Sequence, residues 1–479
     1  FQAEDGIRDI TVRLEFRRVL FRSSTRSRSP MPSLRNLWLA GLVAALAVPA
    51  MAGEPAGAAH RFLEELCDRY GPRLTGSAGN AAAMEHLASE LRSLGYAPER
   101  RAFTMPGWER GADTVELVAP FRRTLRVAAL GYVQAHPAFE AEVVDIKDGR
   151  PADYPTAEVR GRVGVLASST PLQTREILGN AFARGLRGVL FIDREGGGQL
   201  LARTASFQGQ PAPVPIYSIT QEEGRWLQRL LTRGITVRVR METRSRCLEV
   251  QTANLAVRIP GREPGRLIVG AHFDSWDLGQ GAMDNGIGTA QLYAIAQALR
   301  GAQPRHTIEL VWFNGEEQGL WGSRHEAARL GDAPVVLMMN LDMVGVPIGV
   351  NALGDESLVP ALTRWHDARS AKLPKGVENL NWLASDHTPY QLAGVRAVTF
   401  NAPIPRESVR HYHDMADSID KVPSALLDDS TRVILEAVRV LADDPALAPF
   451  RRSPAETRAL FTTPGLDRRM RAMDYWPLD

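Results

Sequence analysis

Cysteine is nearly absent: the 479 residues include two, Cys67 and Cys247. That count excludes a thiolate-based zinc site. It leaves two outcomes open, a disulfide in an exported chain or two isolated buried thiols. A surplus of charge is also missing. Lys and Arg number 57 against 55 Asp and Glu, a net charge of +2. Residues 1–30 hold seven Arg and four acidic groups, a surplus of three, which leaves −1 on the remainder. Nothing in that balance suggests a nucleic-acid partner.

A long hydrophobic run is missing as well. The apolar stretch 37–48 is too short to span a bilayer comfortably, and no second stretch stands behind it. It follows Arg35 and precedes Ala50-Met51-Ala52, the pattern of a secretory signal with a small-residue cleavage site. No Cys follows the run, so no lipid anchor is expected. Residues 1–30 lack hydrophobic periodicity, look like translated adapter sequence ahead of Met31, and are set aside as a non-native leader. Residues 31–52 are expected to be the signal peptide. The mature chain is then periplasmic or secreted, without stable membrane insertion.

What remains has an ordinary apolar content of 44 % and length enough for two domains. Helical spacing marks 58–70, with Phe62, Leu63 and Leu66 on one face, and 80–94, with Met84, Leu87 and Leu91. Gly95 suits the stop of the second helix. From about residue 115 the texture becomes short β-rich runs, at 163–168, 188–193, 214–219 and 236–241. Helices are expected between them at 174–185 and 221–233. This stretch, 115–248, shows no cluster of His and carboxylates and reads as an inserted α+β module. From residue 254 strands at 267–271, 307–313, 335–341 and 397–400 alternate with helices at 287–300, 320–330, 357–369 and 424–442. Such alternation predicts an α/β fold, a mostly parallel mixed sheet with helices on both faces. The main domain thus comprises 53–114 and 249–450, and 451–479 is expected to be a polar tail without a core.

Chemistry gathers where those strands end. The apolar run 267–271 leads to His272 and Asp274, then through a Gly-rich loop to Asp277 and Asp284-Asn285-Gly286. Glu316-Glu317 follow the strand 307–313, Asp342 follows 335–341, and His411 and His413 stand in HYHDMAD. Open α/β sheets build sites outside the carboxyl ends of their strands. Nitrogen and oxygen ligands without thiolate suit Zn²⁺, with Mn²⁺ or Co²⁺ as substitutes. Two ions need a shared carboxylate, and a neighbouring carboxylate that is no ligand can accept a water's proton. Glu316 and Glu317 can divide those duties, because neighbours in a loop can point apart. Each motif alone has a plainer reading: a solvated Glu pair, a hydrogen-bonded His at a strand end, a surface His. Their joint appearance after successive strands is what makes a site. His306, His325 and His366 lie outside the motifs and are read as structural. Trp276 suits core packing at least as well as a pocket wall.

HFDSWDLGQGAMDNG, NGEEQG, NLDMVG and HYHDMAD, in this order, resemble the bimetallic zinc exopeptidase family of bacterial leucyl aminopeptidases and carboxypeptidase Q. GPRLTGSAG resembles the start of carboxypeptidase Q, and 115–248 a protease-associated domain. The resemblance spans nearly all of 56–445. It implies His272 and Asp342 on one zinc, Glu317 and His413 on the other, Asp284 bridging, and Glu316 as general base. It implies Asp274 as the partner that holds the His272 imidazole, and a cis peptide after Asp284. His413 is preferred to His411 because Asp417 follows four residues later. Ser385-Asp386-His387 resembles an aminopeptidase segment, so His387, with Tyr390, is expected to contact substrate. The implied activity is hydrolysis of short peptides, as aminopeptidase or dipeptidase. A carboxypeptidase Q-like carboxypeptidase acting on dipeptides and a single-zinc cyclotransferase on the same fold are the alternatives. The insert is expected to shape access to the cleft or to join a homodimer.

Overall fold

A computed structural model describes residues 57–155 and 158–478. The expected leader and signal peptide lie outside the described residues. All described residues fall in one compact unit of the chain.

The site-bearing sheet has eight strands. In spatial order they are Glu99–Glu109, Arg246–Ile259, His306–Phe313, Glu263–His272, Val335–Asn340, Ala397–Asn401, Gly349–Asn351 and Gly376–Glu378. The four from His306–Phe313 to Ala397–Asn401 pair in parallel. Antiparallel pairing flanks them on both sides. The sheet is therefore mixed, with a parallel centre. Its central strands are buried on both faces, which is why 267–271 and 335–340 read as unbroken apolar runs.

The helix Ile287–Ala298 shows what the parallel centre demands. Ten consecutive residues, Ile287 to Ala296, are buried. A helix apolar all round belongs inside, and this one packs against the helices Ala58–Tyr70 and Ser424–Asp443 and the sheet. Phe62 stacks on Tyr293, ring centroids 4.3 Å apart. Both early helices stand where the sequence places them, Ala58–Tyr70 and Ala78–Ser93, and Gly95 takes φ +88 just beyond the second.

A second eight-stranded sheet runs Arg123–Leu125, Asp113–Ala119, Arg238–Thr243, His136–Asp145, Val163–Leu166, Gly188–Ile192, Ile216–Ile219 and Val127–Ala129. Helices Thr174–Ala183 and Gln221–Thr232 accompany it, and it has its own apolar core. Trp276, from the loop after the strand Glu263–His272, packs into that core, as does Trp108.

One expectation needs correction, and one open alternative is decided. The segment after residue 450 is not a coreless tail. Pro454–Thr462 and Leu466–Ala472 are helices, and Phe461, Met470, Met473 and Tyr475 form a small core with Leu320 and Leu383. Ser453 and Glu456 cap the first of these helices reciprocally, with Pro454 at its first position. Cys67 and Cys247 form no disulfide. Both are free, the Cys67 thiol buried and pushed up to about 12 by that burial.

Candidate metal centre

Three neighbouring parallel strands deliver the centre to one edge of the sheet. Glu263–His272 ends on His272, His306–Phe313 leads to Glu316 and Glu317, and Val335–Asn340 leads to Asp342. Asp284 arrives on the turn before the buried helix, and its bond to Asn285 is cis. His413 comes from the loop before the helix Ser424–Asp443.

The five side chains meet at Asp284. Its Oδ1 lies 3.1 Å from His272 Nε2, and its Oδ2 lies 2.9 Å from His413 Nε2. Asp342 Oδ1 stands 3.5 Å from His272 Nε2, and Glu317 Oε2 stands 3.0 Å from His413 Nε2. The arrangement is thus two half-sites sharing one carboxylate. His411 is elsewhere: its Nδ1 contacts Gln199 Nε2 at 2.6 Å.

The other ring nitrogens fix the tautomers. His272 Nδ1 donates to the Asp274 main-chain carbonyl at 3.0 Å, and His413 Nδ1 donates to the Ala202 carbonyl at 3.0 Å. In the neutral rings both Nε2 atoms would then turn lone pairs toward carboxylate oxygens. That arrangement is repulsive unless positive charge lies between them. Asp284 Oδ1, Glu317 Oε1 and His413 Nε2 are also buried without a hydrogen-bond partner. Polar atoms so placed need a cation or a proton. Ligand atoms of His272, Asp284 and Glu317 all lie within 4.8 Å of one another. The donor set, imidazole and carboxylate without sulfur, fits Zn²⁺.

The ionisation of the chain alone points the same way. Burial lowers the His413 pKa, but Glu317 and Asp284 more than reverse it and hold the imidazole up at about 9. His272 is raised well above its ordinary value, because Glu316, Asp274, Asp284 and Asp342 outweigh its burial. Burial pushes Asp284 up, yet the two imidazoles bring it below the ordinary carboxylate range. Glu316 is raised by burial and by Glu317, Asp342 and Asp386, against the pull of His272.

Around these groups the loops are pinned. The Asp417 carboxylate accepts the amides of Met283 at 2.7 Å and Asp284 at 3.2 Å. Asn285 Oδ1 accepts from Gly288 and Met343, and its Nδ2 donates to Leu341 O, so it ties the bridging turn to the Asp342 loop. Ser385 Oγ donates to Asp342 Oδ2 at 2.6 Å. The buried guanidinium of Arg73 donates to the carbonyls of Gly71, Phe273, Gln280 and Gly281. None of these positioning contacts was singled out from the sequence. Only the enclosing segments GPRLTGSAG, SDH and HYHDMAD signalled them.

The structure refines the expected role of Asp274 and overturns that of Tyr390. Asp274 holds His272 through its main-chain carbonyl, while its carboxylate is 3.7 Å from Nδ1 and accepts the amides of Glu316 and Glu317 at 3.2 and 3.4 Å. Its side chain thus positions the glutamates while its main chain holds the imidazole. Tyr390 is no pocket residue: it is 1 % exposed in an apolar core, its ring 6.0 Å from Phe313. His387 is fully buried as well. Its Nε2 contacts Trp382 O at 2.9 Å, its Nδ1 is buried without a hydrogen-bond partner, and burial lowers its pKa to about 4. Trp276 packs in the core of the second sheet, its ring 6.0 Å from His413. His306 bridges two carbonyls, Pro264 O and Leu447 O.

Fold and centre together define an α/β protein with a buried, carboxylate-bridged His site at its strand ends. Residues 254–438 match the model of Peptidase family M28. Aminopeptidase YwaD of Bacillus subtilis (strain 168) is 26% identical over 397 residues, 79% of this chain and 83% of its own length. Carboxypeptidase Q of Pongo abelii is 25% identical over 336 residues, 64% of this chain and 69% of its own. The solved structure of BSAP, a zinc aminopeptidase from Bacillus subtilis, superposes with a TM-score of 0.68 at 21% identity. It covers 82% of this chain and 98% of that one.

Proposed function

We propose that this protein is an exported two-zinc exopeptidase that hydrolyses short peptides, as an aminopeptidase or dipeptidase. One observation carries the reading: each oxygen of Asp284 faces a different imidazole, and each imidazole has a second carboxylate beside it. His272, Asp342 and Asp284 Oδ1 would hold one ion, and His413, Glu317 and Asp284 Oδ2 the other. Mn²⁺ or Co²⁺ are substitutes for this donor set. When bound, the ions would polarise a peptide carbonyl and bring a water's pKa toward neutrality.

The chain's own part is proton transfer and placement. Glu316 is partly open to solvent and charge-coupled to His272, Glu317 and Asp342. It takes the water's proton and returns it to the leaving amine. Asp274 holds the amides of Glu316 and Glu317, which keeps base and ligand pointing apart. A carboxypeptidase holds its substrate's terminal carboxylate with Arg or Lys. Arg73 is buried with its donors on main-chain carbonyls and is not placed for that role; the segments Ser385-Asp386-His387 and HYHDMAD favour the aminopeptidase reading. The name of the relative carboxypeptidase Q favours the second reading, a carboxypeptidase on dipeptides.

Export follows from the signal-like pattern at 31–52, and the second sheet is read as the protease-associated-like insert, with a role in cleft access or homodimerisation. Among the described residues no helix is long and apolar enough to cross a membrane.

Leucyl-p-nitroanilide, free dipeptides and N-acetylated dipeptides separate the readings. The nitroanilide and free dipeptides should be cleaved, and the blocked ones spared. Cleavage of blocked dipeptides with the nitroanilide untouched would overturn amine recognition, and no hydrolysis of any would overturn the peptidase.

A further inference from the structure

We propose that residues 199–202 of the second-sheet lobe are a positioning element for His413, so that this lobe completes one half of the metal centre. The inference rests on the two-ion reading above and assigns the lobe a task within it.

The contact is reciprocal. His413 Nδ1 donates to Ala202 O at 3.0 Å, and Ala202 N donates to His413 O at 2.9 Å. Leu200 N donates to Asp414 Oδ2 at 2.7 Å, and Gln199 meets His411 at 2.6 Å. Arg410 donates to Gly196 O at 2.7 Å. His413 itself has φ +57, a conformation that L residues rarely adopt. Local preference does not favour that conformation, and the contacts from the lobe are part of what holds it.

The segment is anchored in turn on its own side. Leu201 N donates to Asp193 Oδ2 at 2.6 Å, and Ser218 Oγ donates to Leu201 O at 2.7 Å. Ala202 lies in the lobe's apolar core, and Trp276, which shares that core, presents its ring to His413. His272 itself takes no hydrogen bond from residues 199–202. Its Nδ1 is held by Asp274 O from the same loop, and its carbonyl accepts from Thr289 Oγ1 at 2.9 Å. The two half-sites therefore differ in what supports them. Disturbing 199–202 should weaken the ion of His413 and Glu317 and leave that of His272 and Asp342 alone.

Calorimetric titration of the full, metal-stripped chain with Zn²⁺ tests this. Asp414→Ala removes the acceptor for Leu200 N, and Gln199→Leu removes the contact to His411; neither residue is a proposed ligand. Wild type should show two binding steps. Each variant should weaken one step about 10- to 100-fold, the usual cost of losing a ligand's supporting partner, with the other step unchanged. The weakened step should be the one missing in His413→Ala. Gln199→Glu, which can accept from the other tautomer of His411, should restore it. If Asp414→Ala lowers the Tm of the metal-free chain, the Gln199→Leu titration decides. Equal weakening of both steps, or of neither, overturns the proposal. A wild type that binds fewer than two ions overturns the two-ion reading instead, so the two failures are told apart.

Discussion

At Asp284 one carboxylate faces two imidazoles, and no other residue of the centre touches both half-sites in this way. Asp284→Ala should therefore reduce metal content in both half-sites, measured by elemental analysis of the purified protein. Loss of one ion with the other retained at full occupancy would show that the carboxylate does not bridge. Glu316 has a different task. Glu316→Gln keeps the size and removes the base, so kcat should fall about 10²- to 10⁴-fold while metal content stays at the wild-type value. A fall in metal content would make Glu316 a ligand. At this scale the sequence shows residue types and their place after strands, and the resemblance to the zinc exopeptidase family named, among them, the five side chains that meet. It does not show main-chain partners. The carbonyls of Asp274 and Ala202 that fix the two tautomers belong to no motif, because any residue can supply a carbonyl. Burial is equally hidden: Tyr390 and His387 looked available in a one-dimensional reading and are packed in three.

Among the elements, the alternation of apolar runs and helical patterns made the parallel strands legible, and with them the shared edge where the ligands gather. The antiparallel strand Glu99–Glu109 was not legible. It pairs with Arg246–Ile259 across the whole second lobe, and its own sequence, ERRAFTMPGWE, is half charged or small. That pairing brings Arg101 beside Glu309, a buried carboxylate in the strand His306–Phe313, which also accepts from Arg258 at 3.1 Å and Arg266 at 2.8 Å. Arg101 reaches Glu326 at 2.6 Å as well. Burial pushes the Glu309 carboxyl up, but the three guanidinium groups bring it below its ordinary value. A depressed folded pKa gives stability that is complete above the unfolded value, about 4.3, and lost as pH falls through the folded one. Acid unfolding followed by circular dichroism should be shallower in Glu309→Gln below that pH. Glu309→Ala takes one carboxylate from the buried Arg101, which keeps Glu326, and should cost roughly 1–3 kcal/mol in urea unfolding. A cost below about 1 kcal/mol, the range of exposed pairs, would mean that the network is solvated. The C-terminal helices were missed for a smaller reason: Ser453-Pro454-Ala455-Glu456 is a helix-start signature, overlooked beside the surrounding Arg.

For the whole molecule, two sheets cooperate in one site. The second sheet lies within Asp113–Thr243, and no residue pattern in that stretch signals that it reaches the centre. It carries no ligand, and its contribution is a carbonyl. Metal should therefore stabilise both lobes together. At a free Zn²⁺ concentration 100 times the dissociation constant, each occupied site adds about 2.7 kcal/mol, and thermal unfolding should shift upward as one transition. Two separating transitions would show that the lobes melt independently. The most direct measurement of the central claim is anomalous diffraction at the zinc edge from crystals of the purified protein. Two peaks about 3.5–4 Å apart, one on each side of the Asp284 carboxylate, are the predicted result. A single peak, or peaks away from His272 and His413, would contradict it.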